Sequence, residues 1–326
     1  MRPGYLIRRF LILLLNLWVV ASLVFLMFRL IPGDPTAMFL DPLLSAETKA
    51  EILHRFGLDL PLHQQYLLYM RNLVRGDLAY SFFYNRPVSE IVWTFLPNTL
   101  ILAFAANLIA YVFGIVGGVV LAWRRGSWLD TWGTLIPLGF RSAPIFWTGM
   151  VALMIFAFRL RWFPIGGLRD AGYVASGLIE KYFSLDFLHH LILPASVAAL
   201  YYMGLPMLLT RTSMFEVYGE EFVELARARG FSEVRVMFVH ALRNALLPVV
   251  TAAAIAVGLA VGGQIVIEVV FSWPGIGREM VLATQNRDYP MAQALFLISA
   301  IAVMGANFLA DILYGQLDPR ISYEKE

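Results

Sequence analysis

Six apolar runs, at about 10–31, 97–122, 131–157, 187–210, 248–271 and 291–315, are each long enough to cross a lipid bilayer. The hydrocarbon core of a bilayer, about 30 Å thick, takes about 20 residues of helix. In that medium every backbone N–H and C=O must find a partner within a helix or a closed barrel, and continuous apolar runs of this length are helical. The chain therefore reads as an all-α polytopic membrane protein with six transmembrane helices. Its composition agrees, since 59% of the 326 residues are hydrophobic and only 15% are charged, unlike an ordinary soluble domain. The absence of cysteine excludes disulfides, thiolate nucleophiles and Cys-ligated metals.

Arg2, Arg8 and Arg9 precede the first run, which is too long for a cleaved signal and has no small-x-small site before Ile31-Pro32. It reads as a retained span with the N-terminus in the cytoplasm. Six spans then put 1–9, 123–130, 211–247 and 316–326 inside. These short segments hold twelve of the twenty-five Lys and Arg, against eleven in the longer opposite loops, a bias that supports this orientation. The expected organisation is a cytoplasmic N-terminus with the first helix (1–31), an external helical subdomain (32–96), a transmembrane core (97–315) and a cytoplasmic tail (316–326). In the subdomain, Ser45 caps a helix that runs to about 55, and a second over 63–75 is stopped by Gly76. Gly114, Gly117 and Gly118 in the second span let helices approach closely.

The longest polar stretch after the second span, 216–248, lies between two spans and so outside the membrane. Phe222, Val223, Leu225, Ala226 and Ala228 give a short helix an apolar stripe, Gly230 ends it, and Ser232 can cap a second helix towards Pro248. With Arg227, Arg229, Arg235 and Arg243, this is either a docking surface for another protein or a basic loop lying on anionic lipid.

The run Glu224-Leu225-Ala226, three residues and then Gly230 resembles the cytoplasmic "EAA" loop of ABC importer permeases. Leu247-Pro248 stands further from the glycine than in the general importer pattern, inside the string His240-Ala-Leu-Arg243-Asn244-Ala-Leu-Leu-Pro248. That longer form resembles the dipeptide, oligopeptide and nickel branch. The resemblance implies the type I importer permease fold, in which the first loop helix lies in a groove of the ATPase subunit. It implies ATPase-coupling roles for Glu220, Glu221, Glu224, Ala226, Arg227, Gly230, His240, Arg243, Asn244 and Pro248.

Other strings extend the match from about residue 6 to residue 321. Arg29-Leu-Ile-Pro32-Gly33-Asp34-Pro35 resembles the B-type subunit of peptide importers, and Gly57-Leu-Asp59-x-Pro61, Gly76-Asp77-Leu78, Arg287-Asp288-Tyr289-Pro290 and Leu317-Asp318-Pro319-Arg320 are similar to the family too. In the third span Ser142, Pro144, Phe146 and Trp147 match, while Arg141 departs from the pattern. An arginine at bilayer depth costs about 2.5 to 3.5 kcal/mol and so faces protein or water. Arg141 then either lines a translocation path with Pro144, Phe146, Trp147 and Glu268, or finds a partner in the bundle or snorkels to the inner surface. Glu268-Val-Val-Phe271-Ser-Trp273-Pro274-Gly275-Ile276-Gly277 resembles a further family motif. Its Trp273, Pro274, Gly275 and Gly277 form an outer loop that either dips inward to meet the solute or its binding protein, or is a simple interfacial turn. His189 and His190 are adjacent on a helix and point apart, so no metal site is expected of them.

No Gly-x-x-x-x-Gly-Lys-[Ser/Thr] loop, His-Glu-x-x-His or Gly-x-Ser-x-Gly occurs, so the chain is expected to be a non-catalytic transport subunit without a cofactor of its own. ATP and Mg would reside on two partner ATPase subunits. The other partners implied are a homologous second permease, an external solute-binding protein and the bilayer of a bacterial or archaeal inner membrane, with no nucleic acid. Peptides are the cargo the branch suggests; nickel chelates, glutathione, opines and oligosaccharides use the same design. A gradient-driven carrier is the competing class and would need intramembrane acids, for which Glu268 and Asp311 are the candidates. A membrane-embedded hydrolase comes third and lacks a nucleophile arrangement.

Overall fold

The computed structural model of the chain describes residues 3–30, 59–173, 177–250, 252–253, 256 and 264–317. Four helices among them hold segments long and apolar enough to cross a membrane: α1 (Pro3–Leu30), α3 (Val88–Trp123), α7 (Leu185–Tyr218) and α12 (Tyr289–Leu317). A bent pair of helices makes a fifth candidate span by length and composition. The expected helix over 131–157 is in fact two, α4 (Trp128–Ser142) and α5 (Ile145–Ala152, continued as a π-turn, Leu153–Arg159), set at 103° to one another. The break has a local cause. Pro144 bars its predecessor from helical backbone, and Ala143 sits at φ −75°, ψ 144°. The middle of the expected span over 248–271, with Gly258, Gly262 and Gly263, lies outside the described residues, which resume at its end with α10 (Ile265–Val270). Also outside them are the turn at 32–35, the expected helix from Ser45 to about 55, and the tail beyond 317.

The second span starts at Val88, not near Pro97, which the helix passes straight through. Val88, Ile91 and Val92 are buried against α11 (Ile276–Gln285) and α12, and that burial carries the helix across a residue that removes one of its hydrogen bonds. Before it come α2 (Leu62–Val74), close to where the sequence places a helix, and a two-stranded hairpin, β1 (Tyr80–Ser81) with β2 (Arg86–Pro87). The bundle thus has a hairpin end and an opposite end that carries the loop after α7.

Helices α3 and α7 run parallel and nearly touch. A Cβ at Gly114 would stand 2.9 Å from Pro206 Cγ, and one at Gly118 would stand 2.6 Å from the Met207 carbonyl oxygen. These two glycines, four apart, are the small-residue pattern of close membrane helix contacts. Helix α1 lies antiparallel to α12, with Phe28 against Tyr289 at one end and Phe10 against Phe308 at the other. At the loop end, Ser127 accepts from Asp130 N, and the Asp130 carboxylate receives two bonds from Arg211, at 2.6 and 2.9 Å, clamping α4 to α7.

Candidate functional site

The segment after α7 folds into α8 (Glu221–Ala228) and then α9, a run of Glu233–Arg235, a π-turn Val236–Ala241 and Leu242–Ala245. Gly230 adopts φ +80°, and its N–H donates to Arg227 O while Phe231 N reaches back to Ala226 O. This is a left-handed helix stop of the kind glycine supplies. Ser232 occupies the N-cap position of α9, yet its side chain makes no capping bond. The neighbouring Glu233 is drawn away instead. It accepts from Arg227 Nε at 2.9 Å and from Tyr218 OH at 3.3 Å, with Arg227 lying over the Tyr218 ring. The Glu233 carboxylate beside Arg227 holds that guanidinium pKa above its ordinary value.

The apolar stripe of α8 divides into two faces. Val223 and Ala226 are buried with Met214, Val236, Met237 and Ala241 in a small core that roots the loop on α3 and α7. Phe222, Leu225 and Ala228 point outward with Glu221, Glu224 and Arg229, and Leu225 is 53% exposed. Ala226 therefore serves the loop's own core, while the outward face offers two large apolar side chains, Phe222 and Leu225, flanked by charge. On α9, His240 stacks on Phe231 with centroids 5.0 Å apart, and its Nε2 has no hydrogen-bond partner among the described residues. Arg243, Asn244 and Pro248 are exposed, as is Glu220 just before α8.

Four of the candidate residues flank the helix break. Arg141, Pro144, Phe146 and Trp147 are all exposed, the two aromatics by about half, and the Arg141 guanidinium lies 5.8 Å from the Tyr201 ring centroid. Beside them an apolar cavity of about 470 Å³ opens between α5 and α7, lined by Phe140, Thr148, Ile155 and Leu200 among others. Glu268 does not join this group.

Glu268 is wholly buried, and so is no water-facing member of a path. Thr99 donates to its Oε1 at 2.6 Å and Arg278 N to its Oε2 at 2.9 Å. Gly275 packs on the same carboxylate so closely that a Cβ would stand 2.4 Å from Glu268 Cδ. Trp273 is also fully buried and donates from Nε1 to Asn98 O, while Asn98 donates to Pro274 O and accepts from the OH of Tyr182, on the short helix α6 (Leu178–Phe183). Trp273 and the glycines of this loop pack into the chain's own core and knot α3 to α10 and α11. A second knot lies nearby, where buried Asp288 accepts from Ser81 Oγ at 2.5 Å and from Phe82 N and Phe83 N. Tyr84 there donates to Glu279, and burial, then that bond, raises the phenol above its ordinary range. The sequence assigns no role to Ser81, Asn98 or Thr99 and places Asp288 only within a family-like string; the available signal for the first knot was the polar pair Asn98-Thr99 at the head of an apolar run.

The Thr99 hydroxyl also accepts from Ile276 N at 2.8 Å, so Thr99→Val strips a donor from a buried carboxylate and an acceptor from a buried N–H. A loss of about 2 to 3 kcal/mol is expected, read as a lowered Tm of the detergent-solubilised chain. Thr94→Val, at an exposed hydroxyl bonded only to Glu90 O of its own helix, should leave Tm in place.

Comparison with known proteins gives a consistent result. The family described as "Binding-protein-dependent transport system inner membrane component" matches residues 114–323, and its N-terminal counterpart matches residues 3–103. A di/tripeptide transport system permease of Pseudomonas aeruginosa, DppB, is 40% identical over 99% of both chains. The oligopeptide transport system permease AppB of Bacillus subtilis is 38% identical over 98% of this chain and 99% of its own. Among solved structures, a chain of the inward-facing MetNI methionine ABC transporter superposes with TM-score 0.54 at 18% identity, covering 71% of this chain and 97% of its own. At that identity the likeness bears on the fold alone.

Proposed function

Because this chain belongs to the binding-protein-dependent transport system inner membrane components, the permease subunits of ABC importers, we propose that it carries di- or oligopeptides across the membrane and is driven through the outward face of α8. The peptide class is supported by the names of its near full-length relatives. The observation that carries the coupling role is the two-faced helix Glu221–Ala228, rooted by Val223 and Ala226 and presenting Phe222, Leu225, Glu221 and Glu224. An apolar pair within a ring of charge is what a groove on another protein recognises. In this reading Gly230 sets the angle of α8, the Arg227–Glu233 pair fixes α8 to α9, and Glu220, His240, Arg243, Asn244 and Pro248 complete the contact surface. ATP and Mg are held by two separate ATPase subunits, a homologous permease completes the membrane unit, and an external binding protein delivers the peptide. The chain itself catalyses nothing. Both termini and the α8 loop lie in the cytoplasm of a bacterial or archaeal cell.

Arg141, Pro144, Phe146 and Trp147 face the path in this proposal, beside the apolar cavity. A cation stacked on Tyr201 and two half-exposed aromatics suit a peptide carboxylate and apolar side chains. Arg141→Ala should then reduce uptake of acidic dipeptides more than that of neutral ones in reconstituted vesicles. Equal uptake of both, at the parent's rate, would remove Arg141 from the path. The proposal as a whole is tested by pulling the untreated chain from its native membrane and assaying bound proteins for ATP hydrolysis. Recovery of ATPase subunits and a second permease is expected, whereas a chain that comes out alone and transports without ATP would overturn it.

A further inference from the structure

We propose that Asp170, Asp186 and His190 form a binding site for a divalent transition cation of the Zn²⁺ type, at the hairpin end of the bundle, joining the segment after α5 to the first turns of α7. One ligand atom from each residue lies within 4.8 Å of the other two. The sequence hides the site because Asp170 is distant from the other two, and because the conspicuous pair His189-His190 is a false lead. His189 turns away, its Nε2 2.7 Å from Trp162 O and its ring on Phe163.

The imidazole of His190 is what distinguishes the cluster from an ordinary acidic surface. Its side chain is 1% exposed. Nδ1 lies 2.9 Å from the Asp186 backbone carbonyl four residues earlier, a bond in which Nδ1–H donates and which leaves Nε2 with a lone pair. Metal-ligating histidines are held in this way, through the second ring nitrogen. Nε2 makes no hydrogen bond among the described residues. It points at Asp170 Oδ1, 3.7 Å away, too far for a hydrogen bond. Two ligands at about 2.1 Å from a tetrahedral ion stand about 3.4 Å apart, so the gap is close to that of two groups sharing a cation. A lone pair facing a carboxylate oxygen at this distance is repulsive until a positive charge stands between them.

The remaining features fit the same ion. Asp186 and His190, four apart on α7, share one helix face; Asp186 Oδ1 lies 3.4 Å from Nδ1, so this carboxylate must swing from Nδ1 towards Nε2 to join the ion. Asp170 N donates to Asp186 Oδ2 at 3.3 Å, which orients that carboxylate from outside the ligand set. Asp170 is 82% exposed, giving the ion access from solvent and room for water as a fourth ligand. One imidazole with two carboxylates selects Zn²⁺ over Ca²⁺ or Mg²⁺, which take oxygen ligands. A bound ion would pin the 160–173 segment to α7, next to Tyr182 and the Trp273 knot.

The test is Zn²⁺ titration of the full-length chain, purified without a polyhistidine tag, placed in lipid nanodiscs and stripped with chelator. Calorimetry should give one equivalent bound at micromolar affinity or tighter, and Tm should rise on saturation. Asp170→Asn should weaken binding at least about tenfold and abolish that rise, with the metal-free Tm unchanged because Asp170 is exposed. His190→Gln should abolish binding as well. The proposal is overturned if the parent binds no Zn²⁺, if Asp170→Asn binds as tightly as the parent, or if Tm rises on acidification alone and is indifferent to metal. The last result would identify the positive charge as a proton on His190.

Discussion

Gly118→Leu is expected to remove the folded chain from the membrane, and Gly118→Ala to lower its Tm clearly. Any Cβ at this position meets the Met207 carbonyl oxygen at 2.6 Å, Thr210 Cβ at 2.7 Å and Arg211 N at 3.1 Å. Two of the three are backbone atoms, which no rotamer change can move aside. Helix α7 would have to retreat along its length, opening the contact at Gly114 and drawing Arg211 away from the Asp130 carboxylate that anchors α4. Overpacking costs about 1 to 3 kcal/mol where side chains can yield, and here the backbone must yield. In a membrane no hydrophobic driving force offsets this, since lipid tails are as apolar as the helix surface. Gly117→Ala provides the contrast. The three heavy atoms nearest its Cβ would all belong to the flexible Met207 side chain, with Cε the closest at 2.6 Å, and near-parental Tm is expected. Membrane abundance, gel filtration of the solubilised chain and Tm would check all three. Parental abundance of Gly118→Leu would contradict the α3–α7 contact itself.

What the sequence revealed and what it concealed follow from the range of the forces involved. Spanning length is a local property, and α1, α7 and α12 were legible as apolar runs. Proline acts locally too, but its outcome is decided by neighbours. Pro97 lies within a helix because Val88, Ile91 and Val92 before it are buried against α11 and α12, whereas Pro144 ends one, since Ala143 before it is extended. Both prolines lie in or beside runs long enough to be read as one span, so run length alone could not tell them apart. Glu268 reads as an intramembrane acid and hence as a functional group. Its role depends on Thr99, far away in the chain, and on glycines that admit the backbone to the carboxylate. The stripe on α8 shows the same limit: periodicity finds the apolar residues, but which of them face the chain's own core depends on where α3 and α9 lie.

That division of the stripe leads to the second large effect. Leu225→Asp is expected to leave the chain folded and abundant yet unable to retain its ATPase subunits, with peptide uptake falling to background. Leu225 is 53% exposed and outside the loop core, so a carboxylate there stays solvated in the isolated chain. In a groove it would be desolvated, with Glu221 and Glu224 of like charge beside it on the same helix. Loss of a central apolar anchor at a protein interface costs about 2 kcal/mol or more, about thirtyfold in affinity, before charge repulsion is added. Val223→Asp makes the necessary contrast. Val223 is fully buried with Met214, Val236 and Met237, so its carboxylate would collapse the loop core and lower Tm as well as coupling. Substituting Gly230 with valine should fall between them, because space is open around it and only its φ of +80° is violated, a cost of about 1 to 2 kcal/mol that tilts α8 without unfolding it. Co-purification of ATPase activity with each variant, set beside its Tm, separates a face that docks from a face that merely holds the loop together. If Leu225→Asp retained the ATPase at parental levels while Val223→Asp lost it, the outward face of α8 would be a bystander, and the docking surface would have to be sought on Arg243, Asn244 and the exposed side of α9.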